Sequence, residues 1–140
     1  MSLLTESGAV TIMIGGEADL LRVRSTLRAE AREAGLSLTA ATKLVTAGSE
    51  LARNIVRYAT HGQGTALIER AECDGRRGVR ARFADAGPGI ADIDRAMGDG
   101  FSTGGSLGLG LPGSRRLVDE FSIDTAAGRG TTVVITKWNR

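Results

Sequence analysis

Thr46-Ala47-Gly48-Ser49-Glu50-Leu51-Ala52-Arg53-Asn54-Ile55 is the stretch on which the fold turns. Leu44, Gly48, Leu51, Ile55 and Tyr58 recur at helical spacing around it, so it lies on a long amphipathic helix. Ser37 or Thr39 can cap the start, and His61-Gly62 marks the end. Glu50 and Asn54 are four apart and share one face, which also carries Thr46 and Arg57 and differs from the apolar stripe. A carboxylate one turn from an amide can accept a proton beside a hard-oxygen ligand for magnesium. A solvated helix face looks the same, so the reading depends on the rest of the chain.

Upstream, Val10, Ile12 and Ile14 alternate with Thr11 and Met13, which predicts a first strand. Asp19 then precedes a helical stripe of Leu20, Val23, Leu27, Ala31 and Ala34, stopped by Gly35 as a C-cap. Downstream, residues 65–72 and 79–84 read as strands joined at a hairpin turn begun by Asp74-Gly75. In the second of these strands Val79, Ala81 and Phe83 face one way and Arg80 and Arg82 the other. A short helix is expected at 92–97, and another from Pro112, as its first position, to about Glu120. Strands at 121–125 and 131–138 flank the turn Gly128-Arg129-Gly130. This order predicts an α/β two-layer sandwich, a mixed, largely antiparallel sheet with helices on one face.

Composition narrows the function classes. The 140 residues suit one domain spanning 1–140, and 41% apolar with 24% charged residues is ordinary for a soluble globular protein. No run approaches eighteen apolar residues, and the start Met1-Ser2-Leu3-Leu4-Thr5-Glu6 lacks a basic n-region, so the chain reads as cytoplasmic with no membrane partner. One cysteine, Cys73, excludes an internal disulfide and a Cys-based zinc site, and beside its turn it is expected to be partly buried. One histidine, His61, weakens every His-dependent mechanism. The net charge is +2, and apart from Lys43 and Lys137 the cations are arginines scattered without a block, so a nucleic-acid partner is not indicated. Seven of the 20 glycines fall between Gly98 and Gly113, which marks a functional loop.

Three familiar motifs fail on context. Gly100-Phe101-Ser102-Thr103-Gly104 fits a nucleophile elbow, but neither the strand before it nor a histidine after it is present. Gly108-Leu109-Gly110-Leu111-Pro112-Gly113 fits a dinucleotide fingerprint but follows more glycine loop rather than a strand. No Gly-Lys pair exists for a Walker-type phosphate loop.

Three further elements join Glu50 and Asn54. Asp85-Ala86-Gly87-Pro88-Gly89 follows a strand, where a carboxylate can accept from an exocyclic amine such as that of adenine, and Gly87 and Gly89 let the backbone approach a flat ring. Gly104-Gly105-Ser106-Leu107-Gly108-Leu109-Gly110 offers successive N–H groups to phosphates ahead of a helix N-terminus. The leucines in it argue for a loop that folds against something. Gly130-Thr131-Thr132 enters the last strand, where Thr131 can hold a water between Asp85 and adenine. Each element alone has a bland reading as a turn, a loop tip or a strand start; their order and spacing carry the case.

Together they resemble the Bergerat ATP-binding fold shared by gyrase, histidine kinases and the MutL group, over nearly the whole chain. Glu50–Asn54 looks like the N box, Asp85–Gly89 the first glycine box, Gly108–Gly110 the second, and Gly130–Thr132 the threonine-bearing last motif. A lone ATP domain of this kind looks like the bacterial partner-switching proteins, and residues 46–55, Asp99-Gly100-Phe101-Ser102-Thr103, Leu111-Pro112-Gly113, Asp119-Glu120-Phe121-Ser122 and Lys137-Trp138 are similar to their stressosome switch-kinase branch. The lid, Phe101 through Gly110, holds no charged residue, whereas the anti-sigma branch usually carries an arginine there. The resemblance implies a serine/threonine protein kinase using ATP and magnesium. Glu50 would be catalytic and Asn54 the metal ligand. Asp85, Gly87, Gly89, Gly104, Gly105, Leu107, Gly108, Leu109, Gly110, Thr131 and Thr132 would line the nucleotide. Arg115 or Arg53 would help magnesium neutralise the γ-phosphate. The implied partners are a STAS-domain substrate and a PP2C-type phosphatase; the alternative is an anti-sigma factor holding a sigma factor with ATP bound.

Overall fold

The alternation of Val79, Ala81 and Phe83 with Arg80 and Arg82 sets the two faces of the sheet: the first three are buried, while Arg82 is exposed. A computed structural model describes residues 9–87, 110–125 and 128–139. The described strands are β1 (Ala9–Ile14), β2 (Gly64–Cys73), β3 (Arg76–Asp85), β4 (Glu120–Thr125) and β5 (Thr131–Trp138). The helices are α1 (Glu17–Glu33), α2 (Leu38–Tyr58) and α3 (Gly110–Leu117). The strands form one sheet in the order β1-β2-β3-β5-β4, antiparallel at every pairing. Ile12, Ile68, Phe83, Val133 and Ile135 from the sheet share one core with Val23, Leu27, Leu44, Leu51 and Ile55 from the helices. This is the α/β sandwich the sequence predicts. The expected helix at 92–97 lies outside the described residues.

The helix ends follow their residues. Gly35 (φ 78°) donates its N–H to the Arg32 carbonyl, and Leu36 donates to that of Ala31, a Schellman stop for α1. Asp19 sits inside the first turn rather than before it, because its Oδ2 reaches back to accept the Gly15 N–H at 2.8 Å. Ser37, not Thr39, caps α2: its Oγ accepts the Ala40 N–H at 3.1 Å. Asp74 (φ 53°) and Gly75 (φ 79°) make the left-handed pair of a type I′ hairpin turn. That hairpin tip is exposed from Glu72 to Arg77, so Cys73 is exposed rather than partly buried.

Helix α3 opens at Gly110, so Pro112 is its third residue, still within the first turn where a missing N–H costs nothing. It stops at Leu117, short of Glu120, because β5 captures the chain early. Asp119 donates its N–H to the Thr136 carbonyl, and its carboxylate accepts the Trp138 N–H at 2.7 Å and faces Lys137 Nζ at 3.6 Å. Trp138 Nε1 donates to Glu120 at 2.8 Å, and the Arg76 guanidinium lies 4.9 Å from the centre of its ring. Asp119-Glu120 and Lys137-Trp138 therefore form one clasp.

A glycine in the middle of a helix costs about 1 kcal/mol relative to Ala. Gly48 is there because α1 and α2 cross over it: a Cβ would lie 2.4 Å from Leu27 Cδ1 and 3.4 Å from Phe83 Cζ. Both neighbours are buried, so neither has open space to swing into. Gly48→Ala is expected to destabilise the fold by about 1–3 kcal/mol despite the gain in helix propensity. In a urea-denaturation cycle Leu27→Ala should cost less in the Gly48→Ala background than in the parent; additive losses would refute this account.

Candidate functional site

Strand register places Ile14, Gly64, Asp85, Thr131 and Thr125 in one row across the end of the sheet. Asp85 follows Phe83 by two and Thr131 precedes Val133 by two, so both side chains point to the helix-covered face. The row is close-packed around Asp85. A Cβ on Gly64 would lie 2.5 Å from the Ala84 carbonyl, 2.9 Å from Ile55 Cγ2 on α2 and 3.2 Å from Asp85 Cβ. A Cβ on Gly130 (φ 84°) would lie 2.3 Å from the Asp85 carbonyl oxygen.

Asp85 Oδ1 accepts the Gly87 N–H at 2.7 Å, an Asx turn that fixes the carboxylate and leaves Oδ2 for an incoming donor. The Thr125 hydroxyl lies 3.0 Å from the Gly130 carbonyl and 2.8 Å from the Thr131 hydroxyl. One proton arrangement serves both contacts: Thr125 donates to Gly130, and Thr131 donates to Thr125. The Thr131 oxygen then keeps its lone pairs for a water or an amine beside Asp85.

Helix α2 runs over this row through Ile55. Asn54 is partly buried on it, and its side chain has no hydrogen-bond partner among the described residues. One turn earlier Glu50 is only 8% exposed. Its Oε1 faces Arg53 Nη1 at 3.3 Å, while Oε2 has no protein partner among the described residues. Arg53 thus serves Glu50, and Arg115 is exposed on α3.

The structure brings Asp85, Gly87 and Thr131 together, with Glu50 and Asn54 on the overlying helix. Thr132 points to the opposite face, because its ladder partners are Ala84 and Asp124. Gly110 (φ 57°) opens α3. Gly89, Gly104, Gly105, Leu107, Gly108 and Leu109 lie outside the described residues. Sequence reasoning missed Gly64; its signal was a glycine at the first position of a strand, which reads as close backbone approach.

Chemically, the site offers a buried carboxylate with one oxygen open, an amide oxygen a turn away, and a second fixed carboxylate beside a hydroxyl. A helix carrying the first pair, laid across the strand ends carrying the second, is the arrangement that the resemblance to ATP-binding domains of the histidine kinase type implies. The chain belongs to that family: it matches the histidine kinase-like ATPase domain over residues 16–137. It is 44% identical over 137 residues to the serine/threonine-protein kinase RsbT of Bacillus subtilis (strain 168), covering 98% of this chain and all of that protein. By family and full-length relative it is classed as a serine/threonine protein kinase. It is also similar, at 27% identity and a TM-score of 0.63, to the crystal structure of the RsbU and RsbW domains of Rv1364c from Mycobacterium tuberculosis. That match covers 94% of this chain and spans about a third (33%) of that one.

Two left-handed glycines of the β4–β5 turn give a test of the packing. Among the described residues no atom lies within 4 Å of where a Cβ of Gly128 (φ 80°) would go, so Gly128→Ala is expected to cost only the left-handed penalty of about 1–2 kcal/mol. Gly130→Ala adds the clash with the Asp85 backbone and should cost at least about 1 kcal/mol more in chemical denaturation. Equal losses would mean that Gly130 does not brace Asp85.

Proposed function

We propose that the chain is a cytoplasmic kinase of a bacterial partner-switching pathway, moving the γ-phosphoryl group of ATP to a serine or threonine of a STAS-domain protein. Released from that protein, it binds and activates a PP2C-type phosphatase. The observation that carries the reading is Glu50, buried, paired through one oxygen to Arg53 and open at the other, one turn from Asn54. The full-length likeness to a serine/threonine kinase supports it.

The residues fit the nucleotide and the ion. Asn54 supplies a hard amide oxygen, which suits magnesium held mainly by phosphates and water. The free Oδ2 of Asp85 suits an exocyclic amine, and the Thr131 hydroxyl suits a water bridging the two. Magnesium-ATP, when bound, supplies the transferable phosphoryl group and neutralises its charge. Glu50 Oε2 takes the proton of the attacking hydroxyl as its oxygen bonds phosphorus and ADP leaves. Arg53 holds the carboxylate in place through Oε1. Asp85 orients adenine, while the glycine loop from Gly104 to Gly110 cradles the phosphates with its backbone N–H groups.

Transfer of γ-phosphate from Mg-ATP to a purified STAS-domain partner tests the reading. Glu50→Gln is expected to slow transfer at least about a hundredfold, the range of a general base, while nucleotide affinity measured by calorimetry stays near that of the parent. Asp85→Asn should weaken ATP binding about tenfold or more. Unimpaired transfer by Glu50→Gln would remove Glu50 as the base, and unchanged binding by Asp85→Asn would remove the adenine site.

A further inference from the structure

Helix α1 sorts its charges. Toward the sheet, Glu30 and Glu33 face Arg70 of β2 at 3.0 and 3.9 Å. On the opposite flank of the buried Val23/Leu27/Ala31 stripe stand Arg24, Arg28 and Arg32. None of these three guanidinium groups has an ion-pair or hydrogen-bond partner among the described residues, and all three residues are exposed. Like charges repeated at i, i+4 and i+8 destabilise a helix slightly, and of the three only Arg32, in the last turn, gains from the helix dipole.

The row rims a groove of about 320 Å³ between α1 and α2, with Leu36 and Val45 along its apolar floor. Leu38, 84% exposed at the start of α2, stands at one end. Leu21, 67% exposed, continues the arginine face toward the start of α1. From Leu21 to Arg32 the face runs about 17 Å, roughly three helical turns.

From this we infer that the α1–α2 groove is a docking site for an acidic amphipathic helix of a partner protein. Acidic residues repeating every four positions on such a helix advance about 6 Å per step, the same step as the arginines. Leucine-like side chains on its adjoining face would reach Leu36 and Val45 and cover Leu38 and Leu21. A bilayer surface is flat and would not reach a concave floor. Among the described residues that line the groove none is aromatic, so they offer unpaired bases no stacking platform. The inference stands apart from the phosphotransfer reading, because none of these residues belongs to the nucleotide site.

The test is an amide chemical-shift titration of the full chain with a 16-residue helical peptide carrying glutamates four apart and leucines on the adjoining face. Shifts should gather on Arg24 to Arg32 and on Leu36 to Val45. Replacing the peptide's glutamates by glutamines should weaken binding about tenfold or more. The triple variant Arg24→Glu, Arg28→Glu, Arg32→Glu should lose the acidic peptide and gain one bearing lysines. Circular dichroism checks its fold, and the glutamine peptide keeps the test valid on the unaltered chain. Equal binding by the glutamine peptide would overturn the proposal, as would absence of groove shifts up to millimolar peptide. Groove shifts produced instead by phosphatidylglycerol vesicles, by a decamer of uridylate or by concentrating the protein alone would overturn it too, assigning the surface to a membrane, to RNA or to a second copy.

Discussion

Everything at the candidate site hangs on the close approach of three backbones around Asp85. Gly64 on one side and Gly130 on the other leave no room for a β-carbon, and Ile55 of α2 closes the row from above. This steric constraint fixes the height of the helix over the strand ends. The Asx turn to Gly87 then fixes the carboxylate within the plane so defined. A site built this way spends little on hydrogen bonds of its own. Its precision comes from the sheet ladder, whose register is set along the whole length of β3 and β5.

The same economy explains α2. One helix carries the core stripe on one face and Glu50 and Asn54 on another, so its rotation decides both packing and chemistry. Gly48 permits α1 to sit against it, and Leu27 and Phe83 lock the contact from two sides. A small rotation of α2 would unseat that junction as well as move Glu50. The Arg53–Glu50 pair lies within the helix at i, i+3, so it orients the carboxylate without help from any other element.

Much of this was legible in the residues. Period-two alternation gave the strands, and β5 runs over the predicted residues 131–138. The Asp74-Gly75 turn and the Gly35 stop follow from local backbone chemistry and were readable for that reason. What was not legible depended on distant partners. The need for a glycine at position 48 of α2 comes from Leu27 of the neighbouring helix. Helix α3 ends early because Asp119 is held by β5, seventeen and more residues away in sequence. Thr131 and Thr132 look alike in the chain, yet the pleat sends only Thr131 to the Asp85 row. The exposure of Cys73 was hidden for the same kind of reason: it depends on how far the β2–β3 hairpin runs past the helices.

Phosphoryl transfer asks few side chains of a protein, because positioning and charge stabilisation do most of the work. Glu50 and Asn54 would serve any hydroxyl brought to them, so they cannot choose among serines. Selection has to come from surface beyond the reacting atoms, held at a fixed distance from them. Thr46 belongs to the lining of the arginine-rimmed groove and stands one turn before Glu50 on the same helix. Were Glu50 the proton acceptor and the groove a docking site, a rigid α2 would hold the two at a fixed distance. The charge sorting of α1, acids toward Arg70 and arginines toward the groove, is what keeps that surface single-signed.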